Sequence, residues 1–463
     1  MTAVTQAVVN IRNPYSGETV GQVPACGPAE VDAACATASA YLRADDFPQH
    51  RRADVLQTAS GLVAQRAEVL ARLICAESGK PIRAARSEVD RCVDTLRYSA
   101  IEAATLTGEM VPAAGSRNGQ GRIMFTIPVP VGVVAAITPF NFPLNLVAHK
   151  VGPAIAAGCP VVLKPSWQAP LSAIALVDLL VEAGLPPQWI SVVTDSGSQA
   201  GAALVRHPVP RFVTFTGSAP VGWSIAASAP QKRVALELGS TAPVIVEPDA
   251  DLDVVAARAT AGAFGFAGQS CISLQRVLVH HDVHAQLRDR LVAAADELVT
   301  GDPAAERTDV GPLIEPRHTE RVQQWLAEAA AQGARVVAGG HPDGVVLRPT
   351  VVDAPVVHTR LWREEVFGPV LAVHPYRDFD EALELANDTD LAIHAGIFTA
   401  DLAKAIHAVR RLDFAGVLVN DVPTQRVDMQ PYGGLRAAGN TREGPRYAVR
   451  EMTEFRCVSL PAG

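Results

Sequence analysis

VGVVAAITPFNFP, residues Val131 to Pro143, carries an unbroken apolar run into a cluster of proline, phenylalanine and asparagine. Its β-branched residues and the turn formers that close it mark a buried strand that ends in a loop. The same texture returns in PVVLKP (160–165), ISVVTD (190–195), RFVTFTG (211–217), RVALEL (233–238) and APVIVEP (242–248). Helical stretches such as LSAIALVDLLVEAG and SQAGAALVRH separate several of these runs. That alternation predicts a parallel sheet with helices packed on its faces, the nucleotide-binding type of α/β domain. Ligands of such sheets sit beyond the carboxyl ends of the strands, which here carry TPFNFP, KPS and TGS.

Upstream, AEVDAACATASAYL and ADVLQTASGLVAQRAEVLARLICAESG repeat apolar residues every three or four positions and read as helices, the second capped by Gly79. Downstream, a second α/β stretch runs from about 242 to 436. Its strand candidates are RVLVHH, ARVVAGG, GPVLAVHPY and AGVLVN, and HAQLRDRLVAAADELV is one of its helices. The terminal MTEFRCVSLP reads as a short strand in need of a partner edge, on this chain or another subunit.

The chain has 463 residues, more than one hydrophobic core usually organises, so two or three units are expected. With 48% hydrophobic and 19% charged residues it has the composition of a soluble globular protein. A formal net charge of -8 and the lack of any basic stripe argue against a nucleic-acid binder. Prolines interrupt the longest apolar stretch, so no membrane span is expected, and MTAVTQAVVNIRNP lacks the pattern of a secretory signal. Seven scattered cysteines without a CxxC pair suggest neither a disulfide framework nor a metal site, and fit a reducing cytoplasm.

Four residues and one short segment invite a chemical reading. Cys271, in GQSCIS, is either a small buried hydrophobe or a nucleophile that needs help to become thiolate. Glu237, at the end of a strand candidate, is either structurally paired or placed to take a proton from water. Asn141 lies between a strand and a helix opened by Pro143, where its amide either donates to an oxyanion or caps the helix. Lys164 is one of only five lysines and ends a buried strand, which suits a hydroxyl or phosphate ligand. TGSAPVG offers backbone amides at a helix N-terminus, a place for pyrophosphate, although it is not the GxGxxG pattern.

In this order, ITPFNFP, VVLKPS, FTGSAPVG, LELGS, FGFAGQSC, EEVFGPV and PYGGLRAAGN resemble the aldehyde dehydrogenase superfamily, over nearly the whole chain from RNPYSGE onward. The resemblance implies an α/β fold with a Rossmann-like NAD(P)-binding domain (1–111 and 131–239) and a second α/β catalytic domain (240–436). A small β oligomerisation arm (112–130 and 450–463) would make a homodimer or homotetramer. It implies Cys271 as nucleophile, with the Asn141 amide and the Cys271 N–H holding the oxyanion. Glu237 would activate the water that hydrolyses a thioester, and its presence favours hydrolysis over transfer to coenzyme A. For the cofactor it implies Thr138, Pro139, Phe140, Lys164, Ser166, Gly201, Gly217, Ser218, Val221, Leu238, Glu365 and Phe367.

Three departures stand out. Trp167 occupies the place where NAD-preferring relatives carry a KPxE glutamate, so NAD is expected with NADP possible. Ser240 and Thr241 replace a usual Gly-Lys and are expected to leave the chemistry untouched. The positions that would line the substrate tunnel are Arg91, His149 and Arg426, beside Tyr432. Three cationic candidates converging on one tunnel imply an anionic aldehyde. The subgroup most resembled acts on phosphonoacetaldehyde, lactaldehyde, glyceraldehyde phosphate and sulfolactaldehyde, with phosphonoacetaldehyde-like compounds placed first. A lactaldehyde, glyceraldehyde-phosphate or semialdehyde dehydrogenase is the alternative, and a non-catalytic binding relative the remote one.

Overall fold

A computed structural model describes residues 7–44 and 46–462. Five of the six runs first read as strands form one parallel sheet. Its spatial order is Ile190–Val192, Val161–Lys164, Val133–Ile137, Pro210–Thr216 and Arg233–Glu237. Chain order therefore reverses between Val133–Ile137 and Pro210–Thr216, and the loops leaving these two strands flank a switch point, where doubly wound sheets bind ligands.

The Val133–Ile137 strand is buried throughout because its two faces enter different cores. Val134 and Ala136 pack with Leu96, Val147 and Val151 from helices Ile82–Thr105 and Asn145–Ala157. Val133, Ala135 and Ile137 pack with Val31, Cys35 and Leu204 from helices Pro28–Ala44 and Gln199–Arg206. A strand covered on both faces has no polar side to alternate with, hence the continuous apolar run.

APVIVEP belongs elsewhere. Only Leu238–Ala242 separates Arg233–Glu237 from Pro243–Val246, too little chain for a parallel crossover within one sheet. Pro243–Val246 instead lies inside a seven-stranded sheet: Arg335–Ala338, Thr350–Asp353, Val370–Tyr376, Arg276–His280, Pro243–Val246, His394–Phe398 and Gly416–Val419. Only the Arg335–Ala338 pairing is antiparallel. Thr350–Asp353 and His394–Phe398 were not among the strand candidates; the first is four residues long and the second, HAGIF, carries one β-branched residue.

The long upstream helix is divided at Arg66 into Gln49–Gln65 and Ala67–Ser78, with Gly79 in the left-handed conformation as its C-cap. The terminal strand, Thr453–Pro461, finds a partner edge within its own chain, pairing antiparallel along Arg122–Pro130. No helix among the described residues is long and apolar enough to cross a membrane.

Candidate active site

The loops that leave the Val133–Ile137, Val161–Lys164 and Pro210–Thr216 strands open onto a cleft of about 730 Å³. Thr138, Pro139, Phe140, Lys164, Ser166, Gly201, Gly217, Ser218 and Val221 all line it, as does Trp167. The helix Ala219–Ser228 points its N-terminus into this region, and among the described residues no side chain caps it. Its first-turn amides are thus open donors for an anion. The volume falls within the range of about 300–1,000 Å³ usual for ligand pockets, so a dinucleotide fits. Three expected members stand apart. Leu238 is buried against Gly222, behind that helix, and does not line the cleft. Glu365 and Phe367 border a small neighbouring pocket, where the Phe367 ring meets Phe140 edge-on at 6.0 Å.

Cys271 follows a helix that ends at Phe264. Phe266, Ala267 and Gly268 then adopt positive φ in succession, 48°, 52° and 70°, folding the chain sharply back. Such backbone is costly for residues with a Cβ and is typical of functional sites. At Gly268 a Cβ would also collide with the Gly368 carbonyl, so glycine is what lets the loop lie against EEVFGPV.

Asn141 donates its side-chain amide to the Gln269 carbonyl at 3.0 Å, holding it beside the Cys271 loop. Its role as a helix cap falls away. The helix begins at Asn145, beyond Pro143, and Glu88 accepts from the Leu144 and Asn145 amides at 2.9 and 3.1 Å. Glu88 is in turn buried in an ion pair with Lys80, whose ammonium lies over the rings of Phe142 (3.8 Å) and Phe266 (4.7 Å). Among the described residues the Cys271 N–H has no acceptor, which leaves it available to an oxyanion. Ser240, expected to be inert, donates its hydroxyl to the Cys271 carbonyl and its amide to Glu365 at 3.1 Å. A short hydroxyl reaches that carbonyl because the chain turns directly after Glu237.

The Glu237 carboxyl is buried and, among the described residues, neither of its oxygens has a hydrogen-bond partner. Burial, and then the neighbouring Glu443, push its pKa well above the ordinary value. Burial opposes the charge on Glu443, yet Arg426 (2.8 Å) and Lys150 (3.7 Å) beside it hold its pKa down to about 2, so it stays ionised. A pocket of about 20 Å³, lined by Glu237, Lys150, Thr214 and Glu443 among others, is large enough for one water.

The four tunnel residues do come together, but not as free cations. Arg91 grips Asp428 with two bonds, Nη2–Oδ1 at 2.7 Å and Nε–Oδ2 at 3.1 Å. The same carboxylate holds His149 at 2.8 Å and the Asn145 amide at 3.1 Å. Burial pushes the His149 pKa down, so its ring is neutral. An unpaired buried cation is too costly to leave, and RVD supplies the carboxylate two residues after Arg426. Arg426 itself pairs with Glu443 and stacks 3.6 Å over the Tyr432 ring, yet its buried Nε has no partner among the described residues. Tyr432 brings its hydroxyl to 2.7 Å from the Cys271 sulfur.

Sequence reasoning missed Ser240, Lys150, Asp195, Gln269, Asp428 and Glu443. Asp428 and Glu443 lie only two and seventeen residues from Arg426, and a buried arginine's need for carboxylates was the signal available.

The family model described as "Aldehyde dehydrogenase family" matches residues 2–458. The chain is 41% identical over 456 residues to the 3-sulfolactaldehyde dehydrogenase of Priestia aryabhattai, covering 98% of this chain and 95% of that protein. Aldehyde dehydrogenase 21 from Physcomitrella patens, solved with its reaction product succinate, superposes with a TM-score of 0.96 at 37% identity, covering 99% and 96% of the two chains. The glyceraldehyde-3-phosphate dehydrogenase GapN from Methanocaldococcus jannaschii, complexed with NADP, gives 0.94 at 35% identity, covering 98% and 99%.

Proposed function

This chain belongs to the aldehyde dehydrogenase family, and from that premise we propose that it oxidises a short, singly charged anionic aldehyde to the carboxylic acid with NAD(P) as acceptor. The observation that carries the substrate class is Arg426, a buried guanidinium with an unpartnered Nε, stacked on the tyrosine that touches the nucleophile.

The chain's own residues account for the steps. Cys271 attacks the carbonyl carbon, and the Asn141 amide and Cys271 N–H stabilise the resulting oxyanion. A nicotinamide dinucleotide bound in the cleft supplies the hydride acceptor. The thioester left on Cys271 is hydrolysed by water that gives its proton to Glu237. Lys80, Glu88 and Ser240 hold the loops on either side of the sulfur.

Charge counting refines the substrate. Arg91, Arg426 and Lys150 face Asp428 and Glu443, while burial pushes the pKa values of Lys150 and His149 down and that of Glu237 up, so positive charge here exceeds negative by at most one. So small a surplus suits a carboxylate or sulfonate better than a doubly charged phosphonate. Relatives named for sulfolactaldehyde and solved with succinate support this ordering. The test is a panel of propanal, succinic semialdehyde, sulfolactaldehyde and phosphonoacetaldehyde, scored by kcat/KM. The anionic aldehydes are expected to exceed propanal, and Arg426→Met to cut that ratio roughly 30- to 150-fold, the worth of a hydrogen bond to charge of about 2–3 kcal/mol. Using the ratio cancels general damage to catalysis. Equal kcat/KM for propanal and the anionic members would end this reading.

For the cofactor we favour NAD. Lys164 is buried in an ion pair with Asp195 at 2.8 Å, so its charge is already neutralised before a 2′-phosphate could use it. Asp195→Asn keeps the bond to the Ala200 amide but frees the ammonium. It is expected to raise kcat/KM with NADP about tenfold relative to NAD, in line with one charge-assisted hydrogen bond. An unchanged ratio would remove Asp195 from the discrimination.

A further inference from the structure

The partly buried Cys271 thiol faces a problem of charge. Burial pushes its pKa up to about 12, and the carboxyls of Glu365 and Glu237 push in the same direction. A thiol in that state is a poor nucleophile, since the thiolate is the attacking species. Two groups act in the other direction, the hydrogen-bonded Tyr432 hydroxyl and the Arg426 charge.

The geometry joins them into one unit. Tyr432 is fully enclosed, its hydroxyl 2.7 Å from the sulfur. On one ring face the Arg426 guanidinium carbon sits 3.6 Å from the centroid, while the His394 ring meets it edge-on at 5.3 Å. His394 is anchored by its Nδ1 to the Pro423 carbonyl at 2.8 Å, which fixes the phenol in turn. Arg426 is itself held by Glu443. Among the described residues, the phenol has no other hydrogen-bond partner than the sulfur.

We propose that Tyr432 is a catalytic residue: its hydroxyl donates a hydrogen bond to the Cys271 sulfur and stabilises the attacking thiolate, with Arg426 polarising the phenol through its ring face. Tyr432 keeps its own proton throughout. The thiol proton leaves to water, the sulfur lone pair forms the C–S bond, and the carbonyl π electrons move to the oxygen, which as an oxyanion accepts a hydrogen bond from the Asn141 amide. Burial keeps the phenol neutral and hence a donor. A cation over the ring face withdraws electron density from the phenol and strengthens the donation. Tyr432 thereby changes role, from a wall of the substrate tunnel to a partner of the reacting atom.

The proposal rests on Cys271 as nucleophile but on no particular aldehyde, so its first measurement uses none. The rate of Cys271 alkylation by iodoacetamide, located by mass spectrometry, is followed against pH in the wild type and in Tyr432→Phe. Phenylalanine preserves the ring and its packing, so the change is confined to the hydroxyl. In the variant the inflection should rise by about one pH unit and the rate below it fall about tenfold, as expected for loss of one hydrogen bond to a charged sulfur. The acid limb of kcat/KM for any oxidised aldehyde should move by the same amount. Superimposable profiles, or faster alkylation in the variant, would overturn the proposal; the second result would mean that the hydroxyl withholds the sulfur. Neither outcome would touch the assignment of the substrate class.

Discussion

Replacing Cys271 with alanine is expected to lower kcat for aldehyde oxidation by at least about 10⁴-fold, since no second nucleophile is available to replace the sulfur. The other cysteines are no substitute. Cys35, Cys75, Cys92 and Cys159 are buried in the packing, Cys26 lies half-buried against the core that holds Val133, Ala135 and Ile137, and Cys457 is exposed on the terminal strand. The substitution removes one atom from a partly buried side chain at the edge of a small cluster with Ile272, Ile393, Tyr432 and Ala438. Stability should therefore change by only about 1 kcal/mol, and thermal unfolding of the variant beside the wild type separates loss of chemistry from loss of fold. NADH formation in steady state is the measurement. A variant within tenfold of wild type would remove Cys271 from the mechanism.

Glu237→Gln should behave differently. Acylation of Cys271 does not need this carboxyl, but hydrolysis of the thioester does. A rapid-mixing experiment is expected to show a retained burst of about one NADH per active site, followed by turnover reduced about 10²- to 10⁴-fold, the usual worth of a general base. Loss of the burst as well would assign Glu237 to the first half-reaction. The pH dependence follows from the same burial. Because Glu237 is held protonated well above the ordinary carboxylate range, its base form grows only as pH rises, and wild-type kcat should climb with it. Stability should move the opposite way. The unfolded chain releases this proton near the ordinary glutamate value while the folded chain keeps it. The folded state therefore loses stability as pH rises from that value towards the raised one. Glutamine should flatten both trends.

Much of this could be read before any coordinates. The parallel sheet was legible because buried strands and their intervening helices have different periods, and a strand enclosed on both sides must be apolar throughout. The loops TPFNFP, KPS and TGS were found at strand ends, where the topology places a cleft. Two errors had local causes. APVIVEP looks like any other buried strand, and only the short link after Glu237 shows that it must change sheets. Pro143 looks like a helix start, but the chain turns once more before Asn145, and the cap comes from Glu88 on another helix.

What the sequence determined by itself is local: the strand ends, the helix periods, and the positions of the candidate cysteine, asparagine and glutamate. What the tertiary structure decided is charge. Arg91 reads as a free cation until Asp428, 337 residues away, closes on it. Glu237 reads as an ordinary carboxylate until burial and Glu443 keep its proton on, and Lys164 as a phosphate ligand until Asp195 neutralises it. The physical reason is that propensity and hydrophobic period act over a few residues of chain. The state of a buried charge depends instead on every group within a few ångströms, and here those groups come from segments that sequence order keeps apart.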